Sequence, residues 1–418
     1  MTVARLRGGA DRRGGAPSRR CLFGLVAYGL VAVLAGANLP TPLYPYYQRV
    51  NHLSTVALTG VFVAYVLAVS LALIGAGQLS DRHGRRAVLL PALVFAVIGM
   101  AAFAVADSVV ALVIGRIASG LASGGFTAVG AAALADLEPS GDTRRAALVA
   151  SAATVAGLAL GPLISGLLVQ YGPWPTRLVY LLELVALGPA FVGVLGLPRQ
   201  GTGGGPRPRL RLPTVPRSTR PAFLRSTLAF SAGWVGTAMF FALGPTFAGE
   251  ILRTSNSAAE AGVVGAVFVP SALAQLLSQR LARARATIVG LVLFLAGMSA
   301  LPVALALHQP TVLLVAAAAT GAGQGLTHRA TQSLVTHAAP TAQRGQVVAA
   351  FYLAGYATVA VLLVALGRAI DATSSLIGLT GFVAVVAVMA ALSLCLVWRA
   401  EVTQPASAPA RPEPISRR

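Results

Sequence analysis

Runs of about twenty apolar residues recur along almost the whole chain, broken only by short polar connections. About twelve are legible, near 22–41, 57–79, 87–106, 108–134, 145–170, 176–197, 223–248, 259–280, 286–307, 310–336, 344–369 and 373–398. Roughly twenty helical residues cross the hydrocarbon core of a bilayer. A water-soluble domain has no single core large enough to hide so many runs. The 418 residues are 56% hydrophobic and 11% charged, against roughly a quarter charged in an ordinary soluble domain. The runs are built of Ala, Val, Leu and Gly without period-two alternation. They therefore predict spanning helices rather than barrel strands. The expected fold is an all-α integral membrane protein.

The net charge of +20 invites a nucleic-acid reading, and the positions of the charges argue against it. Every basic residue other than histidine is arginine. Apart from Arg116, inside the fourth run, and Arg49, Arg177, Arg253 and Arg368, all arginines lie in the two tails or at the connections that follow even-numbered runs. Such alternation is the positive-inside signature. It places both termini and every even-to-odd connection in the cytoplasm of a multi-pass protein of the cell membrane. Nucleic acid is thereby excluded as a partner, and the lipid bilayer becomes one. Arg19 and Arg20 precede a run that ends in Ala35, Gly36 and Ala37, a pattern similar to a cleavable signal peptide. Cleavage would remove the first span and spoil the charge alternation, so the run is read as a retained helix. Cys21 and Cys395 fall at cytoplasmic helix ends, where a disulfide is not expected.

Residues 1–20 and 399–418 are rich in Arg, Pro, Gly and Ala and read as disordered cytoplasmic tails. Residues 198–221, PRQGTGGGPRPRLRLPTVPRSTRP, read as a cationic linker at the midpoint of the chain. It separates two six-helix bundles, 21–197 and 222–398. The second half repeats part of the first: SDRHGR at 80–85 returns as SQRLAR at 278–283, each after the second helix of its half. Two pseudo-symmetric bundles place a substrate site between them near the membrane midplane.

The stretch GQLSDRHGRR at 77–86 resembles the signature of the major facilitator superfamily, G-x-L-x-D-R-x-G-R-[RK], at its expected place between the second and third helices. Gly77, Asp81, Arg82, Gly84, Arg85 and Arg86 carry the match. Three shorter motifs are similar to those of the twelve-helix drug:proton antiporter branch. They are RIASG at 116–120, with Arg116 and Gly120; GLALGPLISG at 157–166, with Gly157, Gly161, Pro162 and Gly166; and PLYP at 42–45. Ser119 and Ser165 depart from the usual residues, and the eleventh helix lacks the Gly-Pro step. The resemblance implies two rocking halves, no resident cofactor and no metal, with the proton as coupling ion. It also implies that the cluster of Asp81, Arg82, Arg85 and Arg86 latches the halves on the cytoplasmic side. A tight bend there suits Gly84. The simpler alternative is that these arginines only enforce topology.

An ionisable group inside a span is costly and marks a functional candidate. Arg116 either lines the cavity, tuning a proton site or an anionic group, or is held by backbone carbonyls. Glu183 is the acid well within an apolar run, able to carry a proton or to pair with Arg177. Asp136 is expected to pair with Arg144 or Arg145. Asn38 stands in the first helix where several relatives keep a titratable group. His328 shares a helix face with Thr320, Gln324 and Thr331. Ala153, Gly157, Gly161 and Ser165 make a small-residue face, either plain packing or a flexible seam between the halves. Trp234, Phe240, Gln324, Tyr352 and Tyr356 are candidates for the wall of a substrate cavity.

No HExxH, GxSxG, Cys/His cluster or phosphate-binding loop occurs in the sequence, so an enzyme or a nucleotide-driven motor is not expected. The expected activity is alternating-access transport by a monomer: proton-coupled efflux of small, partly hydrophobic compounds such as drugs. A carrier of sugars, amino acids or organic acids is the second reading. A membrane sensor is a remote third.

Overall fold

The computed structural model describes residues 18–198, 213–278, 281–340 and 343–403. The expected tails and central linker fall largely outside these residues, as do Gln279 and Arg280 of the repeated stretch. Twelve long helices account for the twelve apolar runs. In the first half these are α1 (Arg19–Asn38), α3 (Thr55–His83), α4 (Arg86–Ala104), α5 (Val109–Leu137), α6 (Thr143–Tyr171) and α7 (Leu178–Leu195). A short additional helix, α2 (Tyr44–Val50), follows α1. The second half holds α8 (Arg220–Leu252), α9 (Ser257–Leu277), α10 (Arg283–Leu307), α11 (Pro310–Ala338), α12 (Arg344–Ala372) and α13 (Ser375–Thr403).

Side chains satisfy exposed backbone donors where several of these helices begin. Ser18, Ser54, Ser108, Asp142 and Asn256 accept first-turn N–H groups of α1, α3, α5, α6 and α9. Gly84 ends α3 at φ 85°, a conformation that a β-carbon would disfavour.

Eleven segments are long and apolar enough to cross a membrane; α11 falls short. The shortfall has a physical reason. Thr320, Gln324, Thr327 and Thr331 of α11 are all buried, and α11 packs against α8, α9 and α10. A helix enclosed by other helices can carry polar groups that lipid would not tolerate. Large apolar side chains such as Leu71, Val185, Val361 and Leu392 are instead exposed on outer helix faces.

The helix contacts repeat between the halves. In the first half α1 touches α5, α6 and α7; in the second α8 touches α11, α12 and α13. The pairs α3–α5, α4–α5 and α4–α7 have counterparts in α9–α11, α10–α11 and α10–α13. The fold is thus two pseudo-symmetric six-helix bundles. They meet along two seams, α3–α12 and α6–α9.

The two ends of the bundle differ in charge. One carries GQLSDRHGRR and the start of α12; the other carries the 39–54 and 373–374 connections. They are called here the arginine-rich and arginine-poor ends. Close inter-half approaches cluster at the arginine-poor end. Gly367 of α12 lies against Val56 and Thr59 of α3, and Gly166 of α6 against Ser257 and Ala261 of α9. Gln170 Oε1 accepts the Ser257 N–H at 2.9 Å.

The small-residue face of α6 is internal to its half. Gly157 and Gly161 lie on the backbone of α1 within their own half, a β-carbon at Gly157 falling 2.7 Å from the Val31 carbonyl oxygen and one at Gly161 striking that of Ala35. Ser165, on the same face, also stays within its half and donates to the Leu39 carbonyl at 2.6 Å, whereas Gly166, one residue off that face, reaches the other half. Overpacking such a contact costs about 1–3 kcal/mol. Gly161→Leu is therefore expected to lower the melting temperature of the detergent-purified protein by several degrees. Gly77→Ala, where a β-carbon meets no atom within 4 Å, should leave it unchanged.

Candidate functional site

At the arginine-rich end, Arg85 and Arg86 of the cluster bond within their own half. Arg85 binds Asp136 through Nε at 3.0 Å, and Ser80 Oγ and Asp81 through Nη1 at 2.9 and 3.2 Å. Asp136 takes this partner from the α3–α4 turn, not the expected Arg144 or Arg145. Arg145 instead bonds Glu138, whose other oxygen accepts from Ser140 and the Asp142 N–H. The sequence reading passed over Glu138. Desolvation pushes its pKa up, but these hydrogen bonds and Arg145 outweigh it and hold the carboxyl below its ordinary value. Arg86 donates from Nη1 to the Leu195 carbonyl at 2.7 Å, closing the C-terminus of α7, where a cation is favourable. The Asp81 side chain remains 78% exposed.

Deeper in the same half, two ionisable groups flank one turn of α1. Arg116 of α5 is fully buried. Its Nη1 donates to the Ala37 carbonyl at 2.6 Å. The guanidinium lies 5.0–5.7 Å from the ring centres of Tyr44, Phe62, Tyr65 and Phe103. Such rings stabilise a desolvated cation by about 2 kcal/mol or more. Nε and Nη2 have no partner among the described residues. Glu183 of α7 is 9% exposed, and its Oε1 is likewise without a partner there. It lies against Gly36, where a β-carbon would come within 2.9 Å of that oxygen. Gly36 thus makes room for the carboxylate, while the next residue, Ala37, holds Arg116. No ion pair joins Glu183 to Arg177 among the described residues. Asn38 is buried and donates back to the Leu34 carbonyl of its own helix at 2.7 Å. Gly120 allows α5 to approach Tyr65 and Val69 of α3.

The second half contributes an aromatic wall. Trp234 stacks on Phe230 at 5.6 Å, and His328 lies 5.8 Å from Trp234 and 6.1 Å from Tyr352. Tyr356 meets Trp234 edge-on at 5.9 Å. Trp234, His328, Tyr352 and Tyr356 are all half-buried, and His328 Nδ1 has no partner among the described residues. Tyr356 is near enough to interact electrostatically with Tyr65 of the first half. Tyr356 and Tyr65 lie on α12 and α3, the two helices of one seam. Phe240 does not join the wall: it lies in the apolar core beside Met239 and Gly244. Gln324 is bonded to Ser271 at 2.7 Å, linking α11 to α9. Phe230 and Phe351, stacked at 4.4 Å behind the wall, escaped the sequence reading because isolated phenylalanines carry no spacing signal.

Two pseudo-symmetric six-helix bundles that meet along two helix seams have the build of a solute carrier. The profile described as Major Facilitator Superfamily matches residues 26–361 and 263–417. The chain belongs to this superfamily of membrane transporters. It is 31% identical over 149 residues to a tetracenomycin C resistance and export protein of Streptomyces glaucescens, covering 36% of this chain and 28% of that one. It is 29% identical over 174 residues to the multidrug transporter MdfA of Yersinia pestis, covering 41% and 38%. The matched segments thus span well under half of these relatives. A bacterial homologue of the human lysosomal transporter Spinster, solved in an inward-facing and occupied conformation, superposes with a TM-score of 0.68. It is 14% identical and covers 94% of this chain and 98% of that one, which establishes likeness of fold.

The Arg116 box makes a prediction about stability. Arg116→Ala empties the ring box and should cost about 2–5 kcal/mol. Arg116→Met fills much of the space and removes two unpaired buried donors, so its melting temperature should stay near wild type. Thermal melts of the purified variants check both; a methionine variant as unstable as the alanine one would show that the charge itself holds the box.

Proposed function

We propose that the protein is a proton-coupled exporter of small, partly hydrophobic compounds in the cell membrane, with its arginine-rich end and both termini in the cytoplasm. The observation that carries this reading is a buried carboxyl beside the α1 turn that holds Arg116 in the first half, with a cluster of aromatic rings around His328 in the second. The first half holds an unpartnered carboxyl, Glu183, against the same turn of α1 that anchors Arg116. The second half gathers Trp234, His328, Tyr352 and Tyr356 into one cluster of rings. Aromatic faces bind apolar and planar solutes with little directional demand. A buried carboxyl that gains or loses a proton biases the packing of the helix beside it, here α1 and with it the half-to-half equilibrium.

Several features support the orientation and direction. Segregation of the arginines favours a cytoplasmic arginine-rich end. With that orientation the present conformation faces inward, since the halves approach each other at the arginine-poor end. The tetracenomycin C resistance and export relative agrees in direction. On this reading a compound enters from the cytoplasm, rests on the aromatic wall, and leaves after the halves rock. Return is driven by protonation of Glu183 from outside and its release inside.

Everted vesicles carrying an internal pH dye test the proposal. Addition of an apolar aromatic drug should collapse part of the proton gradient, and Glu183→Gln should abolish that response while leaving the protein inserted. A response confined to sugars, amino acids or organic acids would replace the drug reading with the polar-solute one. A full response in Glu183→Gln would remove Glu183 from the coupling path.

A further inference from the structure

The α3–α12 seam carries a contact between the halves that the signature motif does not contain. Asp371, at the C-terminal end of α12, accepts the backbone N–H groups of Thr55 and Val56 through Oδ1 and Oδ2, both at 2.8 Å. These are the first two residues of α3. Ser54 takes the next donor, that of Ala57. First-turn donors of a helix have no intrahelical acceptor, and that end carries partial positive charge. A carboxylate taking two such donors makes a charge-assisted clamp. Here it ties one half to the other at the arginine-poor end.

The two helices are antiparallel and equally long, 29 residues each. Their register is fixed twice, by Asp371 against Thr55 and by Gly367 against Thr59. Continued along the helices, one residue forward on α3 for each residue back on α12, this register brings Asp81 level with Gly345. Asp81 follows Thr59 by about six helical turns and falls near the same face of α3. It thus stands at the C-terminal end of α3 as Asp371 stands at that of α12. Gly345 lies in the first turn of α12, whose N-cap residue Gln343 makes no side-chain capping bond. Asp81 meanwhile is exposed and held by Arg85.

We infer that Asp371 is the counterpart, at the arginine-poor end, of the latch that the family resemblance gives Asp81, and that the two work as a reciprocal capping switch. In the present state Asp371 caps α3 and the arginine-poor end is shut. In the opposite state Asp371 lets go, and Asp81 leaves Arg85 to cap the first turn of α12, shutting the arginine-rich end. Each carboxylate sits on one half and caps the other half's helix, so closing one end uncaps the other. The inference rests on the two-state rocking of the proposed function, but its readout needs neither substrate nor proton coupling.

Two single cysteines in a Cys21→Ser, Cys395→Ser background report the two ends of the purified protein. Thr59→Cys is fully buried at the arginine-poor end, and Gly345→Cys is exposed at the arginine-rich end, where its β-carbon meets nothing within 4 Å. Adding Asp371→Asn should raise maleimide labelling at Thr59→Cys by about tenfold, the scale of losing a charged hydrogen bond, and lower it at Gly345→Cys. Asp81→Asn should leave Gly345→Cys exposed and slow Thr59→Cys further. Unchanged rates in Asp371→Asn would overturn the switch. So would a rise at both cysteines, which marks unfolding, or a rise at Thr59→Cys alone, which marks a local cap without exchange. Vesicle transport that fails while the reciprocal labelling holds would refute the export reading and leave the switch standing.

Discussion

Inside a bilayer no water is available to a backbone N–H or carbonyl, so each must be satisfied within the protein. That constraint makes every span a helix and concentrates unsatisfied donors and acceptors at helix ends. It also explains how this chain assembles. Helices already satisfied along their length gain little from association except by close contact, and glycines supply it: Gly161 against the Ala35 backbone, Gly120 against α3, Gly166 against α9. Helix ends supply the polar contacts, as where Arg86 closes α7 and Asp371 caps α3. The first kind of contact builds the six-helix halves and, at Gly166, also joins them. The second, which can be exchanged for another of the same kind, suits a moving seam.

The ionisable groups obey the same rule with different consequences. Arg116 is buried without a carboxylate partner among the described residues and is held by one carbonyl and four rings. Glu183 is buried on the other side of the same α1 turn and has an oxygen that nothing accepts or donates to there. Two ionisable groups kept apart by one helix, rather than joined, leave that helix sensitive to the protonation of one of them. Tyr65 of the Arg116 box and Tyr356 of the aromatic wall lie on the two helices of one seam, α3 and α12. The proposed coupling of proton and solute runs through that seam.

Much of the fold was legible because its signals are strong and local. The twelve apolar runs gave the helix number, and SDRHGR with its weaker copy SQRLAR pointed to the repeat that the helix contacts display. What escaped was decided by packing. The helix α2 follows a Pro-rich turn and is too short to leave a periodic pattern. Asp136 was expected to choose its nearest arginines in sequence and instead meets Arg85 from another loop. The small-residue face of α6, which left plain packing and a seam both open, is internal to its half, because spacing tells which residues share a face but not which helix they touch. Asp371 was not singled out by the sequence; only the antiparallel placement of α12 on α3 gives it a partner in the other half. Arg116 and Glu183 were visible as anomalies in apolar runs, while the α1 turn between them was visible only in three dimensions.

The central claim is that two rigid halves pivot so that one end opens as the other closes. Spin labels at Asp107 and Gln309, both exposed in equivalent connections at the arginine-poor end, and at Thr143 and Arg344 at the arginine-rich end, measure it by pulsed electron-spin distances. Protonating and deprotonating conditions are compared for each pair. The account predicts that the two distances change in opposite directions, one lengthening as the other shortens. Distances that lengthen or shorten together, or that never change in folded protein, would contradict it.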